Sequence, residues 1–115
     1  MADSKLRDLS TDFAVKVIRM CDGIKGHYSL VNQLERSSTS IGANIHEAQH
    51  TQGTKDFISK FEIALKEASE TGYWLELLYR TNYIDEPTFK SLFTKCTSLK
   101  VMLIASCKTA KENTR

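Results

Sequence analysis

The sequence predicts an all-α protein, an antiparallel up-down-up-down four-helix bundle that takes up residues 1–115 as one domain. Three observations lead there. Apolar residues recur at intervals of three and four along almost the whole chain, as one face of an α-helix requires. The spacing breaks at short stretches, DGIKGH, TQGT and TNYIDEP, and connections this short join antiparallel neighbours. The one proline, Pro87, stands at a plausible helix start, where its missing N–H costs nothing.

Each helix follows from its own stripe. Leu6, Leu9, Phe13, Val17 and Met20 or Cys21 form the first, which ends near Asp22 ahead of two glycines. Leu30, Leu34, Ile41, Ile45 and Ala48 form the second, with Ser29 as candidate N-cap. The third runs through Phe57, Phe61, Ala64, Leu65, Ala68, Gly72, Leu75 and Tyr79, with Thr54 as its cap and Asp56 well placed in the first turn. Asp85 can cap the fourth, and Pro87 suits its first turn. Its stripe is Phe89, Leu92, Phe93, Cys96, Leu99, Leu103, Cys107 and Ala110.

A chain of 115 residues buries one sufficient core. Sixteen basic against fourteen acidic residues leave +2, too mild a total to imply nucleic acid, although a local or oligomer-multiplied patch stays open. No apolar h-region opens the chain and no run approaches the roughly 18 apolar residues of a membrane span, so a cytoplasmic protein with no membrane partner is expected. Cys21, Cys96 and Cys107 lack CxxC spacing and fall at apolar helical positions, which suits reduced, buried thiols.

The stretch ERSSTSIGANIHEAQH, residues 35–50, is unusual. At about 100° per residue, Arg36, Ser40, Asn44 and Glu47 fall on one narrow polar stripe, set away from Leu34, Ile41 and Ile45. Solvation of that stripe is one reading. However, serines are mediocre helix formers, and a run of them in mid-helix is better explained by close backbone approach or by bonding to a neighbour. The third helix carries a matching second face, Ile63, Glu67, Glu70, Trp74 and Leu77. An apolar strip rimmed by charge marks an interface, so self-association is expected; the alternative is that Trp74 and Leu77 cover a bundle end.

HEAQH matches the HExxH pattern of zinc peptidases, whose two histidines share a helix face while the glutamate polarises water. That chemistry needs a third ligand. If the second and third helices turn at TQGT, Glu67 and Glu70 lie about 13 and 16 residues beyond the turn, roughly 20 Å or more from His50. The same hairpin brings them level with Arg36, so an Arg36 pairing with either is the structural alternative, and no metal or other cofactor is expected.

The segments LERSSTSIGANIHEA, KDFISKFEIALKEASETGYWLELL and NYID before a long helix resemble the four-helix-bundle family often encoded in intervening sequences of bacterial 23S ribosomal RNA genes. Arg36, Ser37, Ser40, Ile41, Asn44, Ile45 and Glu47, followed by Lys55, Phe57, Phe61, Ala64, Lys66 and Glu67, carry the likeness over nearly the whole chain. Many relatives read NIAEG where this chain has NIHEA, which makes His46 a surface variant. The resemblance implies a ring, a homopentamer, similar to the accessory protein of diversity-generating retroelements, which binds nucleic acid and a reverse transcriptase.

Three functions remain. The first is a non-enzymatic oligomer that binds RNA, DNA or a ribonucleoprotein through Lys5, Lys16, Arg19 and Lys25 around the first helix and Lys90, Lys100, Lys108 and Lys111 on the fourth. Five copies of a +2 chain would carry +10. No RNP-like motif is present to stack bases, so phosphate contact is the expected mode. The second is a structural or protein-interaction scaffold. The third, the most remote, is a zinc-dependent hydrolase using HEAQH.

Overall fold

The computed structural model describes residues 2–113, with their side chains from residue 4 onward. Four helices form it: α1 (Ala2–Asp22), α2 (Tyr28–Ala48), α3 (Thr54–Arg80) and α4 (Glu86–Glu112). They stack into a rod of 48 × 20 × 19 Å, whose long axis suits helices that rise about 1.5 Å per residue. Consecutive helices are neighbours and α4 closes the ring against α1, α2 and α3 being packed most extensively and α1 and α4 least. The cross-links run antiparallel. Glu47 on α2 meets Lys60 on α3 while Arg36 meets Glu67, and Cys96 on α4 meets Ala68 while Lys111 meets Glu62.

The core is the set of stripes turned inward. Leu6, Phe13 and Val17 of α1, Leu34, Ile41 and Ile45 of α2, Phe61, Leu75 and Leu78 of α3, and Leu99 and Leu103 of α4 are buried. Two residues expected there lie at its edge, Leu9 (39% exposed) and Phe93 (38%). A spacing of three and four marks an arc wider than the one a neighbour covers. Leu9 looks into the loosely packed α1/α4 seam, while Phe93 lies across Gly72, where an added Cβ would stand 3.5 Å from the ring.

Helix ends differ in how they are held. Asp85 caps α4 as expected, its Oδ1 accepting from the Thr88 N–H at 2.9 Å, and the bonds from Thr88 hold its carboxyl below the usual range. Ser29 and Thr54 do not cap. They sit inside their helices, and the caps are His27, in a left-handed conformation (φ 47°), and Gly53, neither with a side-chain bond. His27 instead meets Tyr83 edge-on at 4.8 Å, tying the first connection to the third.

Small residues set the spacing around α2. Ser10, Ser38 and Gly42 are buried at the α1/α2 seam, and a Cβ on Gly42 would lie 3.4 Å from Ser10 Oγ. At the α2/α3 seam, Thr71 Oγ1 lies 2.9 Å from Ser37 Oγ and 2.8 Å from the Glu67 carbonyl oxygen, so its single proton has two acceptors within reach. Ser37 in turn donates to the Leu34 carbonyl. No buried hydroxyl here is wasted, since each would cost about 1–3 kcal/mol if left unpaired.

All three cysteines are buried thiols. Burial pushes Cys21 up to about 12, with help from Glu35 and Asp22, and Cys96 up to about 11.

Two outcomes are expected. Gly42→Leu should force α1 from α2 and lower stability by about 2 kcal/mol, whereas Gly42→Ala should cost much less, as read by urea unfolding. Between the ordinary thiol value near 9 and the raised native values, the unfolded chain has released protons that the native chain keeps. Stability should therefore fall as pH rises above about 9, and replacing Cys21 and Cys96 by alanine should flatten that slope.

Candidate functional site

The polar stripe of α2 faces α3. Arg36 spans the seam as a fork, one Nη 2.9 Å from Glu67 Oε2 and the other 2.8 Å from Glu70 Oε1, while its Nε donates to Gln33 Oε1 at 3.1 Å. A guanidinium suits this because its planar donors reach two carboxylates at once. Glu47 makes a second cross-link, to Lys60 at 2.7 Å. Asn44 does not: its amide donates to the Ser40 carbonyl of the same helix at 2.8 Å.

Beside this stripe lies the second face of α3. Ile63 is exposed, Trp74 and Leu77 are half-buried, and Tyr73, which sequence spacing did not single out, is well exposed with its ring 5.2 Å from that of Trp74. The Trp74 indole N–H is enclosed but meets no acceptor, the only such buried side-chain polar atom among the described residues. An enclosed indole donor ordinarily finds a partner.

HEAQH is split among three directions. His46 Nε2 lies 3.4 Å from Thr11 Oγ1 of α1, Glu47 turns to Lys60 of α3, and His50 stands exposed in the turn after α2. Among the described residues no group of three His, Cys, Asp or Glu side chains could hold a metal ion.

The basic residues gather differently. Lys5, Lys16 and Arg19 are exposed on α1, and Lys25 in the connection after it. On α4, Lys90 is paired with Glu86 at 2.7 Å and Lys111 with Glu62 at 3.2 Å. Lys100 and Lys108 have no carboxylate partner among the described residues. Packing adds Lys95, which sequence reasoning missed. It faces Lys16 across a groove of about 280 Å³ between α1 and α4, with Leu9, Asp12, Phe13, Leu99, Thr94 and Ser98 also lining it. The available signal was its place one residue before buried Cys96, on the side of α4 that turns toward α1.

Four antiparallel helices with this α2/α3 seam can be set beside known proteins. A family model described as 23S rRNA-intervening sequence protein matches residues 2–105. The chain belongs to that family. Among solved structures, the chain is similar to a protein of unknown function from the S23 ribosomal protein family of Bacteroides thetaiotaomicron. The two are 42% identical, with a TM-score of 0.90 over 94% of this chain and 99% of the other. No curated protein matches. No helix among the described residues is long and apolar enough to cross a membrane.

The Arg36 fork is expected to be structural. Arg36→Ala should lower stability by about 0.5–1 kcal/mol and Arg36→Lys should recover only part of it, since one ammonium cannot fork between Glu67 and Glu70. Thermal unfolding followed by circular dichroism measures both. Unchanged melting with loss of a binding activity would show a ligand site instead.

Proposed function

We propose that this protein is a non-enzymatic homo-oligomer that holds nucleic acid, RNA above all, on the lysine-bearing surface of α4 and the Lys5, Lys16 and Arg19 side chains of α1. One observation carries the reading: from Pro87 to Lys111, α4 presents five lysines and no carboxylate, beside Lys5, Lys16 and Arg19 of α1. Phosphate is the chemistry such a surface suits, through release of condensed counterions rather than base readout. The family's tie to ribosomal RNA genes agrees with it.

Self-association rests on the other side of the bundle. Ile63, Trp74 with its unmet N–H, and Leu77 form a face that a second copy would cover, and the family resemblance makes a pentamer the assembly to test. A ring would repeat the α1/α4 lysines around its circumference. The same apolar face favours the scaffold as the second reading, in which assembly is the whole function. A zinc hydrolase fits least, because His46, Glu47 and His50 face different neighbours.

Multi-angle light scattering at tens of micromolar should give a multiple of 13.0 kDa. A strictly monomeric mass overturns the assembly, and Trp74→Ala should weaken it by about 2 kcal/mol or more. Binding of mixed RNA should fall steeply with salt, and Lys16→Glu, Lys100→Glu and Lys108→Glu together should weaken every sequence alike. Salt-independent binding, or tight binding to one sequence only, overturns the phosphate mechanism. No binding at all leaves the scaffold.

A further inference from the structure

The α1/α4 side carries more than lysines. The groove between Leu9, Asp12 and Lys16 on one wall and Thr94, Lys95 and Ser98 on the other has Phe13 and Leu99 at its base, both almost fully buried. Thr94 and Ser98 also line a second depression on the outside of α4, with Phe93, Thr97, Val101 and Met102. The two hollows therefore form one continuous surface. Val101 is 60% exposed and Ile104 53%, large values for aliphatic side chains on a helix whose core stripe is already filled.

Helical rotation explains the shape. Phe93, Thr97, Val101 and Ile104, together with Thr94, Ser98 and Ala105, fall within about 140° of arc on the outward side of α4. All seven are uncharged. A solvated face would be served better by Lys, Glu and Ala than by threonine, valine and isoleucine, which are poorer helix formers and costlier to expose. The small residues make a trough, with Phe93 and Val101 on one bank and Leu9 and Lys16 on the other.

A trough of this form accepts the ridge of another helix, whose apolar residues at i, i+3 or i+4 and i+7 fill it. From Phe93 to Ile104 it runs about 16 Å, three helical turns. Its rim is cationic. Lys16 and Lys95 stand beside it, Lys100 lies along its edge one turn before Ile104 and Lys108 one turn beyond Ile104, both without carboxylate partners among the described residues, and Asp12 is the one acidic residue lining the α1/α4 groove. Charge complementarity thus calls for carboxylates on the occupant, while the recessed apolar floor offers nothing to a phosphate backbone. A bilayer could meet the exposed Val101 and Ile104, but it would leave the deepest part of the site, over the recessed Phe13 and Leu99, unfilled, whereas the ridge of a helix can enter it.

We infer that the trough formed by α4 and the α1/α4 groove docks an amphipathic α-helix of a partner protein, its apolar anchors in the trough and acidic residues against the lysine rim. This goes beyond the nucleic-acid reading and does not depend on it, because the apolar floor and not the lysines alone defines the site. Lys16 and Lys100 would serve both ligands, so the helix would displace nucleic acid.

The test is a selection of random 16-residue display peptides against the full-length chain, followed by fluorescence anisotropy and circular dichroism on the peptides recovered. The expected binders carry Leu, Ile or Phe at helical spacing with acidic flanks and gain helicity when bound. Ser98→Phe, which fills the trough without changing charge, and Val101→Glu, at an exposed position that leaves the core intact, should each weaken them at least tenfold. Ser98→Phe should leave RNA affinity unchanged, so failure of one reading is told apart from failure of the other. The inference is overturned by binders that are basic or extended. Binders indifferent to both substitutions would overturn it too, as would phosphatidylglycerol vesicles that outcompete the peptides in a Val101-dependent way. A selection that yields nothing the wild type binds better than Ser98→Phe also overturns it.

Discussion

The fold depends on how closely α2 lets its neighbours approach. It is packed on two sides at once, by α1 and by α3, and on both sides its contact residues are small: Ser38 and Gly42 toward Ser10, Ser37 toward Thr71. Close packing of this kind raises dispersion contact but would strand backbone and hydroxyl groups if they went unpaired. The hydroxyls resolve this by bonding to carbonyls one turn back in their own helices, as Ser37 does to Leu34, Ser38 to Glu35 and Thr71 to Glu67. The poor helix propensity of the serine run is accepted in exchange for two narrow seams.

The two seams away from α2 differ from each other. Helices with small residues at their contacts pack closer than helices with long ones, and of the two seams that do not involve α2, α3/α4 is well packed while α1/α4 is the least packed of the four. At the α1/α4 seam Leu9 stays partly exposed and the groove above Phe13 and Leu99 forms.

Much of this was legible in the residues. All four helices, the Asp85 cap and the level at which Arg36 meets Glu67 and Glu70 follow from periodicity and from counting along a hairpin. Periodicity could not tell that Leu9 and Phe93 fall just outside the covered arc, because the width of that arc is set by the partner helix and not by the stripe. The true caps were hidden for a different reason. His27 and Gly53 hold their positions by backbone conformation, and a left-handed histidine leaves no pattern of the Ser, Thr, Asp or Asn kind. Asn44 shared a stripe with Arg36, but a short amide reaches the carbonyl four residues back before it reaches another helix. Lys95 was missed because only the placement of α1 turns it from a solvated lysine into one wall of a groove.

A net charge of +2 conceals how the charges are distributed, and that distribution is what a ligand meets. On the α2/α3 side, the carboxylates Glu47, Glu67 and Glu70 are all paired, with Lys60 and Arg36, which leaves these five groups one negative charge beside Ile63, Tyr73, Trp74 and Leu77. On the α1/α4 side, Lys100 and Lys108 have no such partners among the described residues and α4 supplies no carboxylate between Pro87 and Lys111. At physiological salt, potentials decay over about 8 Å, far less than the 20 Å breadth of the bundle, so neither face senses the charge of the other. The molecule therefore behaves electrostatically as two surfaces. One holds its charges in ion pairs around an apolar strip, and the other sets the lysines of α4 beside an apolar trough.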